Sequence, residues 1–263
     1  RRNSSSKKDQ INIYDRLIVP CKQNVKAFKD LGVNVPVHEV GLGVDEKFWA
    51  YKERSTKGKT RFLMFANANW DNGRKNYATG LKAFLDALKV RKDIELVLKL
   101  TTGEIPSFLR NLPNVTVIKE KYTKEKLREL VYSCDCLLSP TKGEGYGLPQ
   151  REAMATGIPV IASGFAGLET IMDLESNYNV KYSFADPDYK NVPWIVAWNN
   201  GSKDFGLWAE PSLNDVTSKI LEAASDKKLL LERGLLGSEW IQNNETYDIA
   251  AKKILNIIRS NKL

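Results

Sequence analysis

The chain has 263 residues, of which 42% are hydrophobic and 27% are charged, and this composition excludes disorder as the main state. Lysine and arginine total 40 and aspartate and glutamate total 32, so the net charge of +8 favours anionic partners without choosing among nucleic acid, lipid head groups and nucleotide phosphates. One histidine, His38, and three cysteines leave too few soft ligands for a zinc site and disfavour a Ser-His-Asp triad. Hydrolase and metalloprotein functions are therefore not expected.

The cysteines and the hydropathy pattern indicate the compartment. An odd cysteine count, with Cys134 and Cys136 separated by one residue, argues against a disulfide framework and favours a reducing, cytoplasmic location. The sequence has no run of about 18 apolar residues, so we expect no membrane span. The basic opening RRNSSSKKDQ lacks a methionine, and we expect it to be a solvated segment within a longer polypeptide.

The predicted elements begin with a strand in residues 15–20 and a helix in residues 21–32, which ends at a glycine. An extended run follows in residues 35–45, and a polar stretch occupies residues 51–60. The change in composition places a domain boundary near residues 41–60.

Beyond this boundary, apolar runs of strand length alternate with helical stripes. The predicted strands are residues 61–69, 94–100, 114–118, 134–140 and 158–163, and the predicted helices are residues 77–88, 107–112, 124–133 and 149–157. Strands that are hydrophobic throughout, each followed by a helix, are typical of a parallel sheet covered on both faces. The pattern predicts an α/β fold with a Rossmann-like, doubly wound parallel sheet.

The last part of the chain is mostly helical in pattern. The aromatic segment 175–210 has no clean period, and no element is assigned to it. Ser212 is a predicted helix N-cap with Asp215 three residues further on, and helical spacing continues towards Leu263.

Residues 139–163 carry the most informative motif. This stretch starts where a predicted buried strand ends and passes through a loop with Gly143, Gly145 and Gly147. It then enters a helix with Pro149 in its first turn. At the carboxyl end of such a strand, a helix N-terminus offers N–H groups and partial positive charge, and glycines let the backbone approach a ligand. The stretch predicts a phosphate-binding loop.

Two carboxylates flank this loop. Glu144 lies within the loop, and Glu152 lies about one turn into the predicted helix. Taken alone, they are explained more simply as a solvated loop residue and a first-turn residue favoured by the helix dipole. Beside a phosphate-binding loop, however, two acceptors suit a ligand with hydroxyls on both sides of its phosphates, and a nucleotide sugar has this chemistry.

Four motifs in order resemble those of one known family. The stretch EGYGLPQREAMATGIPVIAS is similar to the donor-site signature of the group 1, or family 4, retaining glycosyltransferases of GT-B fold. The stretch VPVHEVGLGVDEKFW resembles the family's entry into its C-terminal domain, FANANWDNGRKNYATGLKAFLDAL resembles its strand, Arg-Lys loop and helix, and GLWAEPS resembles the stretch before its late helices. The resemblance extends from about Asp15 to about Glu222 and implies a C-terminal, donor-binding domain.

The resemblance also implies roles for individual residues. Glu144 would contact the transferred sugar, and Glu152 would bind the ribose hydroxyls. The backbone amides expected around the sugar and diphosphate are those of Gly145, Tyr146, Gly147 and Leu148. Lys99, Lys119 and Tyr122 follow strands where a base pocket forms in this fold, although lysines there are commonly surface residues.

In the family, an arginine and a lysine clamp the diphosphate and stabilise the charge of the leaving group. Lys75 matches the lysine, whereas the arginine, usually six residues earlier, falls on Asn69, and Arg74 is the candidate to supply that charge instead. Two cations and a helix dipole make a metal unnecessary. We therefore expect no metal and no cofactor, with the nucleoside-diphosphate sugar as donor substrate.

The resemblance thus implies a retaining hexosyltransferase that moves a hexose from a nucleoside-diphosphate sugar to an acceptor hydroxyl. Residues 1–40 would be a basic tail plus the last strand and helix of an otherwise absent N-terminal acceptor domain, and residues 41–263 would be the nucleotide-sugar-binding domain with its C-terminal helices. This part alone would transfer sugar poorly. The expected partners are the nucleotide sugar, an acceptor sugar, lipid or protein, and the N-terminal domain, and peripheral contact with a membrane is left open.

Two alternatives remain open at this point. A catalytically silent nucleotide-sugar-binding subunit is suggested by Asn69 in place of the family arginine. A GT-B relative such as a nucleotide-sugar epimerase would share the phosphate-binding half, but it would need an acid and a base that the sequence does not display. A nucleic-acid binder is not expected, because no ordered binding motif accompanies the positive charge.

Overall fold

A computed structural model describes residues 7–67, 73–104, 107–187 and 206–260. The strands are β1 (Leu17–Val19), β2 (Val37–Glu39), β3 (Thr60–Asn67), β4 (Ile94–Thr102), β5 (Val115–Ile118), β6 (Cys136–Leu138), β7 (Val160–Ala162), β8 (Tyr178–Asn179), β9 (Tyr182–Ala185) and β10 (Trp208–Pro211). The α-helices are α1 (Lys7–Ile11), α2 (Lys22–Asp30), α3 (Tyr77–Val90), α4 (Lys124–Tyr132), α5 (Leu148–Ala155), α6 (Glu169–Met172), α7 (Leu213–Ser225), α8 (Lys227–Asn244) and α9 (Tyr247–Arg259).

A six-stranded sheet with the order β5-β4-β3-β6-β7-β8 forms the centre of the molecule. All of its strand pairs are parallel. The chain proceeds outwards from β3 through β4 to β5, returns to β6, and then proceeds outwards in the other direction through β7 to β8. The predicted Rossmann-like, doubly wound α/β fold is confirmed.

Helices cover both faces of this sheet, so that alternate residues of β3 enter two different cores. Phe62 and Met64 pack with side chains of α3 and α7, whereas Leu63 packs with side chains of α4 and α5. All three side chains are 0% exposed. Because neither face meets water, β6 and β7 are buried along their whole length, which explains their unbroken apolar sequences.

The first described elements form a small unit beside the main sheet. Strands β1 and β2 pair in parallel, and helix α2 connects them, so a strand and a helix are present where the sequence pattern predicts them. The backbone N–H of Val44 then donates to the carbonyl of Glu245 at 2.8 Å, and Val44 forms a bridge with Thr246 before α9. The segment after β2 is therefore attached to the C-terminal helices, while the domain boundary near residues 41–60 stays a prediction.

The predicted helix at residues 107–112 is wrong, because the structure has a short 3-10 helix at Ser107–Asn111. Pro113 explains its early end, since the residue before a proline is disfavoured in the α conformation. Asn114 then adopts a positive φ of 63°, which turns the chain into β5. The local backbone therefore overrides the apolar spacing.

The aromatic segment without a clean period contains strand structure. Strands β8 and β9 lie within it, β10 begins within it, and β9 pairs with β10 in an antiparallel arrangement. Residues 188–205 lie outside the described part of the chain. Each of these strands has four residues or fewer, which is too short for an alternating pattern to be recognised.

The C-terminal helices follow the prediction. Ser212 is the N-cap of α7, and its hydroxyl accepts a hydrogen bond from the backbone of Asp215. The Asp215 carboxylate accepts from the backbone N–H of Lys181 at 2.7 Å and so connects the helix to β9. Within the described ranges, none of the helices combines the length and the apolar character needed to cross a membrane.

Two glycines of α8 provide a test of this packing. A Cβ at Gly234 would overlap the backbone carbonyl of Gly157, whereas a Cβ at Gly237 would meet its nearest neighbour, Ser176 Cβ, at an ordinary 3.5 Å. Gly234→Ala should lower the free energy of unfolding by about 1–3 kcal/mol, because the helix must move away from the turn after α5. Gly237→Ala should leave it unchanged or raise it by up to about 1 kcal/mol through helix propensity. Equilibrium urea unfolding measures both, and equal effects would contradict the close approach of α8.

Candidate functional site

The candidate site lies outside the carboxyl ends of β3 and β6, where the strand order reverses. In open α/β sheets the loops diverge at such a point and leave a crevice that binds ligands. The loop after β3 carries Arg74 and Lys75, and the loop after β6 carries Glu144. The topology therefore brings these separate motifs to one place.

Glu144 lies between two cations. One carboxylate oxygen is 2.6 Å from Lys75 Nζ, and the other is 3.0 Å from Arg74 Nη1. The Glu144 side chain is only 9% exposed, so water competes weakly with these contacts. The three residues that the sequence predicted as catalytic thus form one ionic cluster.

The backbone also holds the two loops together. Arg74 Nη1 donates to the carbonyl of Gly143 at 2.8 Å, and the backbone N–H of Lys142 donates to the carbonyl of Arg74 at 2.8 Å. The Thr141 hydroxyl donates to the same Arg74 carbonyl at 3.1 Å. The position of the carboxylate is therefore fixed by paired loops as well as by its own side-chain contacts.

Opposing effects set the pKa of Glu144. Burial is the largest single effect and raises the pKa, but the Coulombic attraction of Lys75 and Arg74, together with their hydrogen bonds, outweighs it. The pKa of Glu144 consequently lies below its ordinary value. The side chain is an ionised hydrogen-bond acceptor at neutral pH.

Helix α5 begins beside this cluster with Gly147 as its N-cap. The φ angle of Gly147 is 85°, and a Cβ there would overlap Leu168, so the fold itself requires a glycine. No side chain caps the helix, and Pro149 in its first turn has no N–H to satisfy. A Cβ at Gly145 would meet no atom within 4 Å, so packing does not require this second glycine. The helix start presents backbone amides and positive potential next to Glu144.

Glu152 lines a cavity of about 360 Å³ between the sheet and helices α4 and α5. Burial raises the pKa of Glu152, while the attraction of Lys124 and the indole of Trp49 oppose the rise. Lys75 lines the same cavity, so one lysine contacts the Glu144 cluster and borders the space around Glu152. The two predicted acceptors are therefore connected through Lys75.

The remaining predicted residues are distributed as follows. Lys99 and Tyr122 line the cavity of Glu152. Lys119 does not line it and instead forms an ion pair with the exposed Glu104. Leu148 is the first residue of α5. Asn69, which stands at the arginine position of the family motif, lies outside the described residues.

The cysteines lie away from this crevice. Cys134 and Cys136 are buried and unpaired at the start of β6, and burial raises the pKa of Cys134 to about 11. These thiols are therefore protonated packing residues. Across the part of the chain that the structure describes, no three His, Cys, Asp or Glu side chains are placed to hold a metal ion.

A buried network that the sequence did not predict supports the loop of Glu144. Arg151 is 2% exposed, and its guanidinium pairs with the carboxylate of Glu245 and donates to the backbone carbonyls of Tyr146 and Gly167. The Tyr146 hydroxyl also donates to Glu245, at 3.1 Å. The Gly167 N–H in turn donates to the carbonyl of Glu144 at 2.9 Å. The Tyr146 side chain therefore belongs to this network, and only its backbone remains in the loop as predicted.

Local sequence patterns gave no signal for this network. Arg151 and Glu245 are 94 positions apart, so no helical or strand spacing relates them. An arginine next to Glu152 near the start of a helix is ordinarily a solvated residue.

Comparison with known proteins agrees with this architecture. Residues 59–188 match the model of the family described as Glycosyl transferases group 1. The MMP alpha-(1->4)-mannosyltransferase of Mycolicibacterium hassiacum is 31% identical over 141 residues, which are 52% of this chain and 33% of that protein. The chain thus spans about a third of the length of this curated relative.

Two solved structures share the fold. An E. coli structure with bound UDP-2-fluoro glucose has a TM-score of 0.65 at 13% identity, and the match covers 95% of this chain and 62% of that one. The C-terminal domain of LpcC, a glycosyl transferase group 1 family protein of Francisella tularensis, has a TM-score of 0.55 at 18% identity, covering 77% of this chain and 98% of that one.

The fold and the crevice at the strand-order reversal define a Rossmann-like α/β domain of the GT-B type. Over residues 59–188, the sequence of this domain is similar to the group 1 glycosyltransferases.

The ionic cluster predicts a change in one titration. Lys75→Met should raise the pKa of Glu144, because Lys75 is the strongest of the effects that lower it. Lys82→Met is the matched control, since Lys82 pairs with Asp86 on the surface of α3. Carbon-13 NMR of the glutamate carboxyl groups measures the pKa, and an unchanged Glu144 pKa in Lys75→Met would contradict the cluster.

The same cluster predicts a pH dependence of stability. A carboxyl whose folded pKa is lowered stabilises the fold above its unfolded pKa, and this stabilisation is lost as the pH falls through the folded pKa. The stability difference between the wild type and Lys75→Met should therefore be largest near neutral pH and should shrink below about pH 4.

The Arg151 network predicts a large loss of stability. Glu245→Gln should lower the free energy of unfolding by about 3–5 kcal/mol, because it leaves the Arg151 guanidinium buried without its counter-charge. Glu129→Gln is the control, since Glu129 pairs with Arg128 at 59% exposure and should cost less than about 1 kcal/mol. The double variant Arg151→Met/Glu245→Gln should recover part of the loss in urea unfolding. Equal costs for the two single variants would refute the buried pair.

Proposed function

We propose that this domain binds a nucleoside-diphosphate sugar and forms the donor half of a retaining hexosyltransferase. The observation that carries the proposal is the position of Lys75, which pairs with Glu144 beside α5 and also lines the cavity of Glu152. A loop carboxylate, a cation at a helix N-terminus and a nucleoside-sized cavity follow one another in space. This order suits a ligand made of a sugar, a diphosphate and a nucleoside.

The diphosphate is assigned to the two cations and to the start of α5. Lys75 and Arg74 supply positive charge, and the first-turn amides of α5 add hydrogen-bond donors and the positive end of the helix dipole. During transfer, negative charge develops on the departing diphosphate. Donors that are fixed before the reaction stabilise this charge without reorganising.

Glu144 is assigned to the transferred sugar. Its lowered pKa keeps it ionised, so it accepts hydrogen bonds from sugar hydroxyls and favours positive charge near the anomeric carbon. Its oxygens are already held by Lys75 and Arg74, which lowers their nucleophilicity. This supports positioning of the sugar rather than covalent attack on it.

The reaction is a displacement on one face of the sugar. The bond between the anomeric carbon and the phosphate oxygen breaks, and the acceptor oxygen forms its bond to the same carbon from the same side. The acceptor proton passes to the departing phosphate oxygen. The anomeric configuration is retained, and the electrons of the broken bond stay with the diphosphate beside Lys75 and Arg74.

The nucleoside is assigned to the cavity, with Glu152 accepting hydrogen bonds from the ribose hydroxyls. Two observations support an active enzyme over a silent subunit: Arg74 brings a guanidinium to Glu144 at 3.0 Å, and Lys75 is in place. The same proposal includes an acceptor substrate, an N-terminal acceptor domain before about residue 40, and a reaction that needs no metal. It also includes a cytoplasmic location, with or without peripheral contact with a membrane.

A crossed binding experiment tests these assignments. Glu152→Ala should weaken binding of a nucleoside and of its diphosphate alike, by about 1–3 kcal/mol, because both lose the ribose contact. Lys75→Ala should weaken only the diphosphate. Titration calorimetry with uridine and UDP, guanosine and GDP, and adenosine and ADP measures the losses.

Glu239→Ala, an exposed position on α8, is the control and should leave every affinity unchanged. A Lys75→Ala variant that loses nucleoside and diphosphate affinity equally would remove Lys75 from the diphosphate site. If the wild type binds none of the three diphosphates, the proposed function is rejected.

A further inference from the structure

The cavity of Glu152 contains a buried cation that the proposed mechanism does not use. Lys99 lies on β4, in register with Phe65 of β3 and Ile118 of β5, and is 5% exposed. Lysine is rarely buried to this degree without a carboxylate partner, and the interior of a parallel sheet is normally apolar. Its presence on a central strand therefore needs an explanation.

The contacts of Lys99 do not neutralise its charge. Nζ donates to the carbonyl of Leu100 at 2.7 Å and stands 5.1 Å from the centre of the Tyr122 ring. Within the described ranges Lys99 forms no ion pair, and Glu120, the carboxylate that acts on it from a distance, pairs with Lys126 at 3.0 Å. Burial lowers the pKa of Lys99, and the attraction of Glu120 opposes this effect only in part. An ammonium has three donors, so this site favours a ligand that offers acceptor atoms.

A second buried donor lines the same cavity. The indole nitrogen of Trp49 is buried and makes no hydrogen bond of ordinary geometry in the described chain, although it lies near enough to Glu152 to lower the pKa of that carboxyl. Trp49 is 2% exposed. Two incompletely satisfied donors in one cavity indicate a ligand rich in acceptors, because leaving a buried polar group without a full set of partners is unfavourable.

The sheet order assigns the ligand group that reaches Lys99. Lys75 follows β3, which pairs with β6. Lys99 is on β4, one strand further from β6, and Tyr122 follows β5, two strands further. A ligand with its diphosphate at Lys75 and its ribose at Glu152 therefore extends its base towards Lys99 and Tyr122. The aromatic ring offers a stacking surface, and the ammonium meets the edge of the base.

Base edges differ in what they offer to an ammonium. Guanine presents O6 and N7 as adjacent acceptors, and uracil presents carbonyl oxygens, whereas adenine places its N6 amino group, a donor, beside N7. Building on the proposed function, we propose that Lys99 selects donors whose base carries a carbonyl group, uracil or guanine, and disfavours adenine. The inference thus narrows the donor class of the same site.

Affinities for UDP, GDP and ADP test this selection. The wild type should bind UDP or GDP at least about tenfold more tightly than ADP, which corresponds to about 1.4 kcal/mol. Lys99→Met, which keeps most of the length of the unbranched side chain without its charge, should reduce that preference to less than about threefold by weakening the favoured nucleotide while ADP changes little. Lys119→Met is the control, because Lys119 lies near the end of the adjacent strand outside the cavity, and it should keep the wild-type preference.

The outcomes separate this inference from the proposed function. If no nucleoside diphosphate binds, the proposed function and the role of Lys99 both fail, because the proposed site at Lys75 and α5 should hold a diphosphate whatever its base. If diphosphates bind but the wild type prefers ADP or does not discriminate, the role of Lys99 alone is overturned, whether or not the variant folds. If the wild type discriminates and a folded Lys99→Met variant discriminates equally, selection resides in other groups and the inference is again overturned.

Discussion

The carboxylate of Glu144 lies between two cations and connects the loops after β3 and β6, where the strand order of the sheet reverses. Removing an ionised carboxyl from water costs several kcal/mol unless it is paired at close range, and the contacts of Glu144 to Lys75 and Arg74 at 2.6 and 3.0 Å meet this condition. The loops after β3 and β6 must therefore stay in register for the charge to remain buried. This requirement arranges the site before a ligand arrives, which reduces the ordering cost of binding.

Two carboxylates near one helix are given opposite titration behaviour by their surroundings. The pKa of Glu144 is lowered because its cations outweigh burial, and the pKa of Glu152 is raised because Lys124 and Trp49 do not offset burial. A pair of environments that separates two pKa values in this way separates two chemical roles. Glu144 suits a place where charge is needed, and Glu152 suits contact with neutral hydroxyl groups.

Most of the fold was predictable because each strand and helix of a doubly wound sheet is a short stretch of sequence with its own hydrophobic pattern. The strand containing Phe62 and the helix containing Pro149 each have a local pattern, and the order of motifs was enough to bring Lys75 near Glu144. Prediction failed where backbone chemistry overrode apolar spacing, as it did before Pro113. Prediction also missed the burial of Arg151, because that burial depends on Glu245, a partner 94 positions away.

That distant partner, Glu245, makes two connections at once. Its backbone carbonyl accepts from Val44 in the segment after β2, and its carboxylate pairs with Arg151, which holds the backbone of Tyr146. The segment that leads from the small sheet to the main domain is thus joined to the loop of Glu144 through one residue. Because a buried, hydrogen-bonded ion pair is costly to break, this connection resists gradual displacement. The loop geometry therefore depends on contacts at both ends of the chain as well as on the motif that contains it.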